Sequence, residues 1–327
     1  MKKLLLLSIS LLTLSFVSNS FAHDLKGAIA SEDRTPKNVV RDVYRHPYET
    51  LEFFGIKQDM TVVELSPGGG WYTEILANYI HYPGTLIAAH FNPDAGGYYK
   101  RGRANFEKKM NSNAMYGRVE IVNIDSTLAE PNSVDAVLTF RNLHNWLGPL
   151  MDTIFSNSYK ALKPGGIFGV VEHRANEGTT MEMMKKSGYV TEKHAITMAK
   201  KHGFELVSKS EVNSNPKDIK NYPKGVWTLP PNLRMKEEDK EKQADDNEEL
   251  PPQQASKYRA IVARANYLAQ DRLDIRFAVK ALGRTMSKPN KEDWRKLVSR
   301  QLLSRQNQVC NQIRLSRKRR LDHGVHR

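Results

Sequence analysis

Glu64 and the glycines Gly68, Gly69 and Gly70 are the residues whose types and spacing point most clearly to chemistry. They lie in the stretch TVVELSPGGGWYTEI, residues 61–75. Val62 and Val63 form an apolar run, Glu64 closes it, Ser66 and Pro67 make a turn, and a helical pattern opens at Trp71. Glycine has no Cβ to hold the backbone away from a ligand. A helix start offers unpaired N–H groups and a partial positive charge. A strand that passes through a glycine turn into a helix is therefore a cradle for a nucleotide-like molecule. A second group of residues could move a proton. His144 follows the apolar run 134–140, and Glu172 and His173 close the run 167–172. Histidine and glutamate serve as general bases where they reach the proton to be taken. The ten histidines show no paired ligand spacing and Cys310 is the single cysteine, so no metal site and no disulfide framework are expected.

The elements that must hold these groups follow a regular alternation. Apolar runs at 84–90, 119–124, 134–140, 167–172 and 204–212 read as strands after the first at 61–65. Helical patterns lie between them at 71–79, 103–110, 150–162 and 189–202. GVWTL, residues 225–229, reads as a short last strand before Pro230 and Pro231. Strands alternating with helices predict an α/β fold with a doubly wound, mostly parallel sheet. Ligands of such a sheet bind beyond the carboxyl ends of its strands. Upstream, residues 31–60 read as amphipathic helices; Tyr44, Arg45, His46 and Tyr48 there could line a substrate mouth or simply pack. Asn213, Asn215 and Lys217, after the run 204–212, are weaker candidates for substrate contact.

Charge divides the chain. From Pro251 to Arg327 there are 19 Lys and Arg against 5 Asp and Glu, which carries the whole formal excess of +14; residues 1–250 balance at 31 of each sign. The glycine-loop region thus has no electrostatic footprint of a nucleic-acid binder. Residues 1–22 combine Lys2 and Lys3, an apolar run from Leu4 to Val17, and small residues at Ser20 and Ala22. That pattern predicts a cleavable secretory signal, too short for a stable membrane anchor, and a periplasmic or extracellular destination. Residues 235–252 are highly charged without an apolar period and read as a linker. Residues 253–297 read as a helical piece and 298–327 as a basic, disordered tail.

The order of motifs resembles the class I S-adenosylmethionine-dependent methyltransferases, and in particular a branch of exported bacterial members. The matching residues are VVELSPGGGWYTEIL (62–76), NIDSTLAEPNSVDAVLTFRNLHNWL (123–147), LKPGGIFGVVEHRA (162–175), KHAITMAKKHGFELVSKSEVNSNPKD (193–218) and GVWTLPP (225–231). The resemblance covers about residues 24–234. It implies a Rossmann-like sheet of seven strands with the last antiparallel, S-adenosyl-L-methionine as cofactor, and methyl transfer to a small-molecule acceptor. Glu64 would then accept from the methionyl ammonium, while Gly68 and Gly70 let the backbone close on the ligand. Asp125 would accept from the adenine amino group, and Phe140, Arg141 and Asn142 would flank the sulfonium and the incoming nucleophile. His144, Glu172 and His173 would be the candidate bases. Two departures stand out: Ser66 replaces a glycine of the motif, and His90 stands where a carboxylate that grips the ribose is expected. Asp94 could reach the ribose from the turn, or His90 or Asn92 could serve it as donors. A domain that binds the cofactor without transferring its methyl group is the alternative.

The C-terminal piece resembles something else. SKYRAIVARANYLAQDRLDIRFAVKALGRTMSKPNKEDWRKL, residues 256–297, is similar to a stretch of Copia-type retroelement polyproteins just beyond the polymerase core. The catalytic Tyr-x-Asp-Asp of those polymerases is absent from this chain, so no polymerase activity is expected. The basic end could bind nucleic acid weakly and with strong salt dependence.

Overall fold

β-Branched and aliphatic runs form six of the expected strands, and these join one sheet. The computed structural model describes residues 24–216, 218–229, 234, 249–268, 279–280, 282–291, 293–294, 297 and 310–317. The predicted signal and most of the predicted linker lie outside these residues. The strands are β1 (Thr61–Leu65), β2 (Thr85–His90), β3 (Val119–Asn123), β4 (Val134–Phe140), β5 (Leu162–His173), β6 (Phe204–Ser210) and β7 (Cys310–Arg317). Their order across the sheet is β3-β2-β1-β4-β5-β7-β6. β1 runs parallel to β2 and β4, β2 to β3, and β4 to β5; β7 is antiparallel to both β5 and β6. The fold is a Rossmann-like, doubly wound α/β sheet of seven strands.

Helices cover both faces. α1 (Leu25–Ala30), α2 (Pro36–Val39), α3 (Pro47–Phe54) and α4 (Trp71–Tyr79) precede and follow β1. α5 (Gly97–Met110) links β2 to β3, and α6 (Leu143–Trp146) and α7 (Pro149–Ala161) link β4 to β5. α8 (Met181–Ser187) and α9 (Glu192–Lys201) link β5 to β6. Alternation along the buried strands sorts side chains between the faces. Val63 and Leu65 pack with Ile154, Phe155, Phe168 and Phe204 on one face. Val62, Leu138 and Phe140 pack with Leu51, Phe54, Trp71 and Tyr72 on the other. Among the described residues, no helix is long and apolar enough to cross a membrane.

The seventh strand corrects the sequence reading twice. GVWTL is not a strand: Gly225–Thr228 forms a 3₁₀ turn. Gly225 has φ +56°, and a Cβ there would lie 1.9 Å from the Ser187 carbonyl oxygen, so this turn is wedged against the end of α8. The strand comes instead from the basic tail, at residues 310–317. Ile313 and Leu315 alternate along it and enter the core beside Phe168 and Phe204. Gln312 and Arg314 face the other layer, where Gln312 Nε2 donates to Thr50 Oγ1 (2.7 Å) and Arg314 Nη1 to the Phe53 carbonyl (3.3 Å). Arg317 caps the far end, donating to Asn132 Oδ1 (2.6 Å) and to the Leu162 carbonyl. A period of two hidden under the arginines makes this segment a strand rather than a disordered tail.

Before β7, α10 (Pro252–Leu268) packs Tyr258 and Val262 against Leu250, Leu282 and Leu297. Tyr258 Oη donates to the Leu282 carbonyl (2.9 Å), satisfying the one polar atom of that buried ring.

Candidate active site

The glycine loop between β1 and α4 owes its shape to residues of left-handed backbone. Ser66, Gly68 and Gly70 have φ of +50°, +59° and +75°. The loop's carbonyl groups are drawn to one side. His90 Nε2 lies 3.2 Å from the Gly68 oxygen, and Lys109 Nζ donates to the oxygens of Gly69 (2.8 Å) and Gly70 (3.3 Å). The amide of Gly70 bonds Pro67, but those of Gly68 and Gly69 donate to no group among the described residues. A Cβ built on Gly68 or Gly69 meets nothing within 4 Å. The space against these two amides is therefore open, as an oxygen-bearing ligand would require.

Glu64 lies beneath this loop on the α4 face of β1 and is 2 % exposed. Thr73 Oγ1 donates to its Oε2 at 2.6 Å, and its Oε1 accepts no hydrogen bond among the described residues. Burial raises its pKa from the usual 4.5 to about 7, against the pull of Thr73 and Lys109. A buried carboxylate in that state gains from a cation placed beside it. Ser66 Oγ is buried nearby without a partner.

Lys109 belongs to a buried charge network that sets the loop's position. Its Nζ donates to Glu74 Oε1 at 2.7 Å, and Asn38 Nδ2 donates to the same oxygen at 2.9 Å. Arg34, fully buried, holds Asp42 by two bonds of 2.6 and 2.9 Å. These ties fasten the segment before α3 onto α4. Thr73 and Lys109 were not singled out from sequence. Thr73, nine residues after Glu64, could have been found as the first-turn face of the helix after the loop. Lys109 could not, because it comes from a different helix, 39 residues after Gly70.

The other expected cofactor residues lie around the carboxyl ends of β2, β3 and β4. His90 ends β2 and is buried. Its Nδ1 accepts from the Phe91 amide (2.8 Å), which makes Nε2 the donor to Gly68, and burial lowers its pKa. Nε2 thus braces the glycine loop, while Nδ1 is spent on the turn after β2. Asp125 is exposed just past β3, and Asn92 Nδ2 donates to it at 3.1 Å. Arg141 follows β4 with φ +64° and is 9 % exposed; its amide donates to Val171 at 2.6 Å. Asn142 Nδ2 reaches the carbonyls of Ser66 (3.2 Å) and Phe140 (3.1 Å), tying the end of β4 to the glycine loop.

The three candidate bases converge at the ends of β4 and β5. His144 Nδ1 lies 3.0 Å from Glu172 Oε1, and the His144 amide donates to Oε2 at 3.2 Å. An ionised carboxylate only accepts, so it draws the ring proton to Nδ1 and leaves Nε2 as an acceptor. Nε2 has no hydrogen-bond partner among the described residues. The ring of His173 sits 6.0 Å from that of His144, and Trp227 meets His144 edge-on at 5.7 Å. Burial holds the pKa of His173 well below 6.5, helped by Arg141, His144 and Arg45. Of the candidates after β6, Asn213 bonds inside the fold, to His46 Nδ1 (3.2 Å) and Thr50 Oγ1 (3.1 Å). Lys217 lies outside the described residues.

A cavity of about 640 Å³ opens beside the glycine loop, lined by Gly68, Gly69, His90, Tyr98, Phe106 and Lys109 among others. Arg141, His144, Glu172 and His173 stand apart from it, at the ends of β4 and β5.

A family model described as a methyltransferase domain matches residues 63–170, from β1 through most of β5. That is about a third of the 327 residues. No curated protein matches the chain. Among solved structures, it is similar to an S-adenosylmethionine-dependent methyltransferase from Aquifex aeolicus, at 17 % identity and a TM-score of 0.44, over 58 % of this chain and 93 % of that one. It is also similar to phosphoethanolamine N-methyltransferase 2 of Haemonchus contortus in complex with S-adenosyl-L-methionine, at 15 % identity and a TM-score of 0.43, over 90 % of this chain and 60 % of that one. Likenesses this distant do not bear on what the chain acts upon.

Proposed function

We propose that the chain is an enzyme that transfers a methyl group from S-adenosyl-L-methionine to a small-molecule acceptor. The match to a methyltransferase domain supports methyl transfer, and the site's own chemistry supports the cofactor. The observation that carries the reading is Glu64: a buried carboxylate with one unbonded oxygen beside two unbonded amides. Glu64 Oε1 would accept from the methionyl ammonium, and the amides of Gly68 and Gly69 would donate to the ligand's oxygens. Asp125, exposed at the end of β3, would take the adenine amino group. Arg141 and Asn142 would border the reacting centre.

Once bound, the cofactor supplies a sulfonium methyl group, to which the acceptor's lone pair forms a bond as the carbon–sulfur bond breaks. The acceptor's proton needs a base within hydrogen-bond reach. His144 Nε2 would take it, while Glu172 holds the Nδ1 proton and steadies the imidazolium that forms. His173, kept neutral by its surroundings, would shape the pocket as a dipole rather than a charge.

Calorimetric titration with S-adenosylhomocysteine tests the reading. Loss of a charge-assisted bond costs about 1.5–3 kcal/mol, so Glu64→Gln is expected to weaken binding at least tenfold. Equal affinity of variant and parent would sink it. Release of S-adenosylhomocysteine from the cofactor in the presence of a metabolite extract reads turnover, and His144→Gln should lower it about 10²-fold or more. Binding without turnover by the parent supports the alternative of a non-transferring domain. One observation favours that alternative: His90, where a ribose-gripping carboxylate was expected, spends both nitrogens on the chain itself.

We also propose export, on the pattern of residues 1–22. Nucleic-acid binding by the basic end draws less support, because Arg314 and Arg317 are engaged inside the sheet. Equal retention on a DNA filter by chains with and without residues 318–327 would remove it.

A further inference from the structure

Most of the cavity beside the glycine loop has no part in the cofactor reading. Gly68, Gly69 and His90 line it, but Glu64, Ser66, Asp125, Arg141 and Asn142 do not. Its remaining walls come from the segment before α2 and from α5 and the turn after it. One wall is aromatic. Tyr98 lines the cavity and is 66 % exposed, with the Phe91 ring behind it at 6.4 Å, and Phe106 lines it from the buried side of α5. An exposed phenol ring over a cleft leaves a flat apolar surface that another ring can cover.

The polar groups of the cavity are mostly donors. Tyr116, in the 3₁₀ turn Ala114–Tyr116 before β3, is 4 % exposed, yet its hydroxyl makes no hydrogen bond among the described residues. Burial raises its pKa, with Glu74 and Asp33 adding to the shift, so it stays a phenol able to donate. A donor shielded from water and left unpaired is costly, and a ligand that accepts from it removes the cost. Lys37 is exposed at the opening, and its ammonium forms no ion pair among the described residues. The unbonded amides of Gly68 and Gly69 add two further donors. Asp33 is the one carboxylate of the lining, and Asn113 Nδ2 already donates to it at 3.1 Å.

A flat ring with anionic oxygens satisfies both sets of groups. We propose that this cavity is a second ligand site, for a purine nucleoside monophosphate whose base lies against Tyr98 and Phe106 and whose oxygens accept from Tyr116, Lys37 and the loop amides. The site goes beyond methyl transfer; only one consequence rests on that reading. The cofactor would use the same two amides, so nucleotide and cofactor exclude each other.

Calorimetric titration of the full chain with guanosine monophosphate, in phosphate-free buffer, tests the site. Its base is absent from the cofactor, so its binding is not mimicry of adenosine. The nucleotide is expected to bind at least tenfold more tightly than guanosine or inorganic phosphate alone. Tyr116→Phe, which removes only the unpaired hydroxyl, should weaken it at least fivefold and leave S-adenosylhomocysteine within twofold of the parent. Tyr98→Ala, at an exposed position, is a second variant with the same expected split. Saturating S-adenosylhomocysteine should displace the nucleotide. No binding of the nucleotide, equal affinity for guanosine, or parental affinity in both variants overturns the proposal. Equal weakening of nucleotide and S-adenosylhomocysteine by Tyr116→Phe gives the cavity to the cofactor and overturns it as well. Failure of S-adenosylhomocysteine to bind a chain that still takes the nucleotide overturns the methyl-transfer reading and leaves the second site standing.

Discussion

The two ends of the sheet's story differ in how far apart their parts lie in the chain. The glycine loop draws Glu64, its turn and Thr73 from ten consecutive residues. The far side of the sheet draws β5, β6 and β7 from residues 162–173, 204–210 and 310–317. The first region is a local device that a motif can announce. The second exists only when distant segments meet, and its last member carries so many arginines that its apolar alternation is easy to miss. The proposed cofactor site lies on the first; integrity of the core depends on the second.

That contrast predicts opposite responses to mutation. The largest effect is expected from deleting residues 310–327. Ile313 and Leu315 are buried, and losing each aliphatic side chain costs about 2–5 kcal/mol. The truncated chain should show no cooperative thermal transition and should bind an apolar dye. A sharp melt like the parent's would break the comparison. Ile313→Ala alone should lower stability by about 2–5 kcal/mol while leaving S-adenosylhomocysteine affinity within about twofold of the parent.

Next comes a pH effect confined to the loop. The Glu64 carboxyl titrates at about 7 in the folded chain against its usual 4.5. The folded state therefore holds an extra proton between those values. This contribution is fully present below about pH 4.5 and is lost as pH rises through about 7. At 1.36 kcal/mol per pKa unit the loss amounts to about 3 kcal/mol. Denaturant melts across this window should show the decline, and Glu64→Gln should flatten it. A ligand ammonium expels the same proton, so binding heats near pH 7 should vary with the ionisation enthalpy of the buffer.

Smaller effects separate conformation from space. Gly68 has φ +59° with open room for a Cβ, so Gly68→Ala should cost about 1–2 kcal/mol of stability. Its effect on nucleoside binding should be larger, because the methyl group intrudes where the ligand belongs. The smallest change is a gain. Ser66 holds a left-handed backbone and a buried hydroxyl without a partner, so Ser66→Gly should stabilise by up to about 1 kcal/mol. A loss on thermal melting would show that Ser66 Oγ has a role in the fold.

Much of this molecule was legible in its sequence, for reasons visible in particular residues. Strands β1 to β4 and β6 are short apolar runs that the structure places within a few residues of expectation, whereas β5 starts at Leu162 and takes in Pro164 and Gly165, read from sequence as breakers after a helix. The pairing of His144 with Glu172 joins two motifs that each stood at a strand end. Lys109 and His90 show where such reading stops. What makes Lys109 important is the Gly69 carbonyl it meets, and no spacing encodes that meeting. His90 was identified by position, yet its bonds turn it inward to the loop. GVWTL has the composition of a strand, but the close approach of Gly225 to Ser187 commits it to a turn.

The placement of β7 between two earlier strands also sets a timetable. Synthesis passes Ser210 at the end of β6 with the slot beside β5 still vacant, and the segment that fills it begins only at Cys310. A nascent chain thus carries six strands and a gap for some hundred residues of elongation. Domains generally fold as units, so the sheet is complete only once that segment is made. Any interruption in that interval leaves a product that a protease can recognise by its unzipped flank.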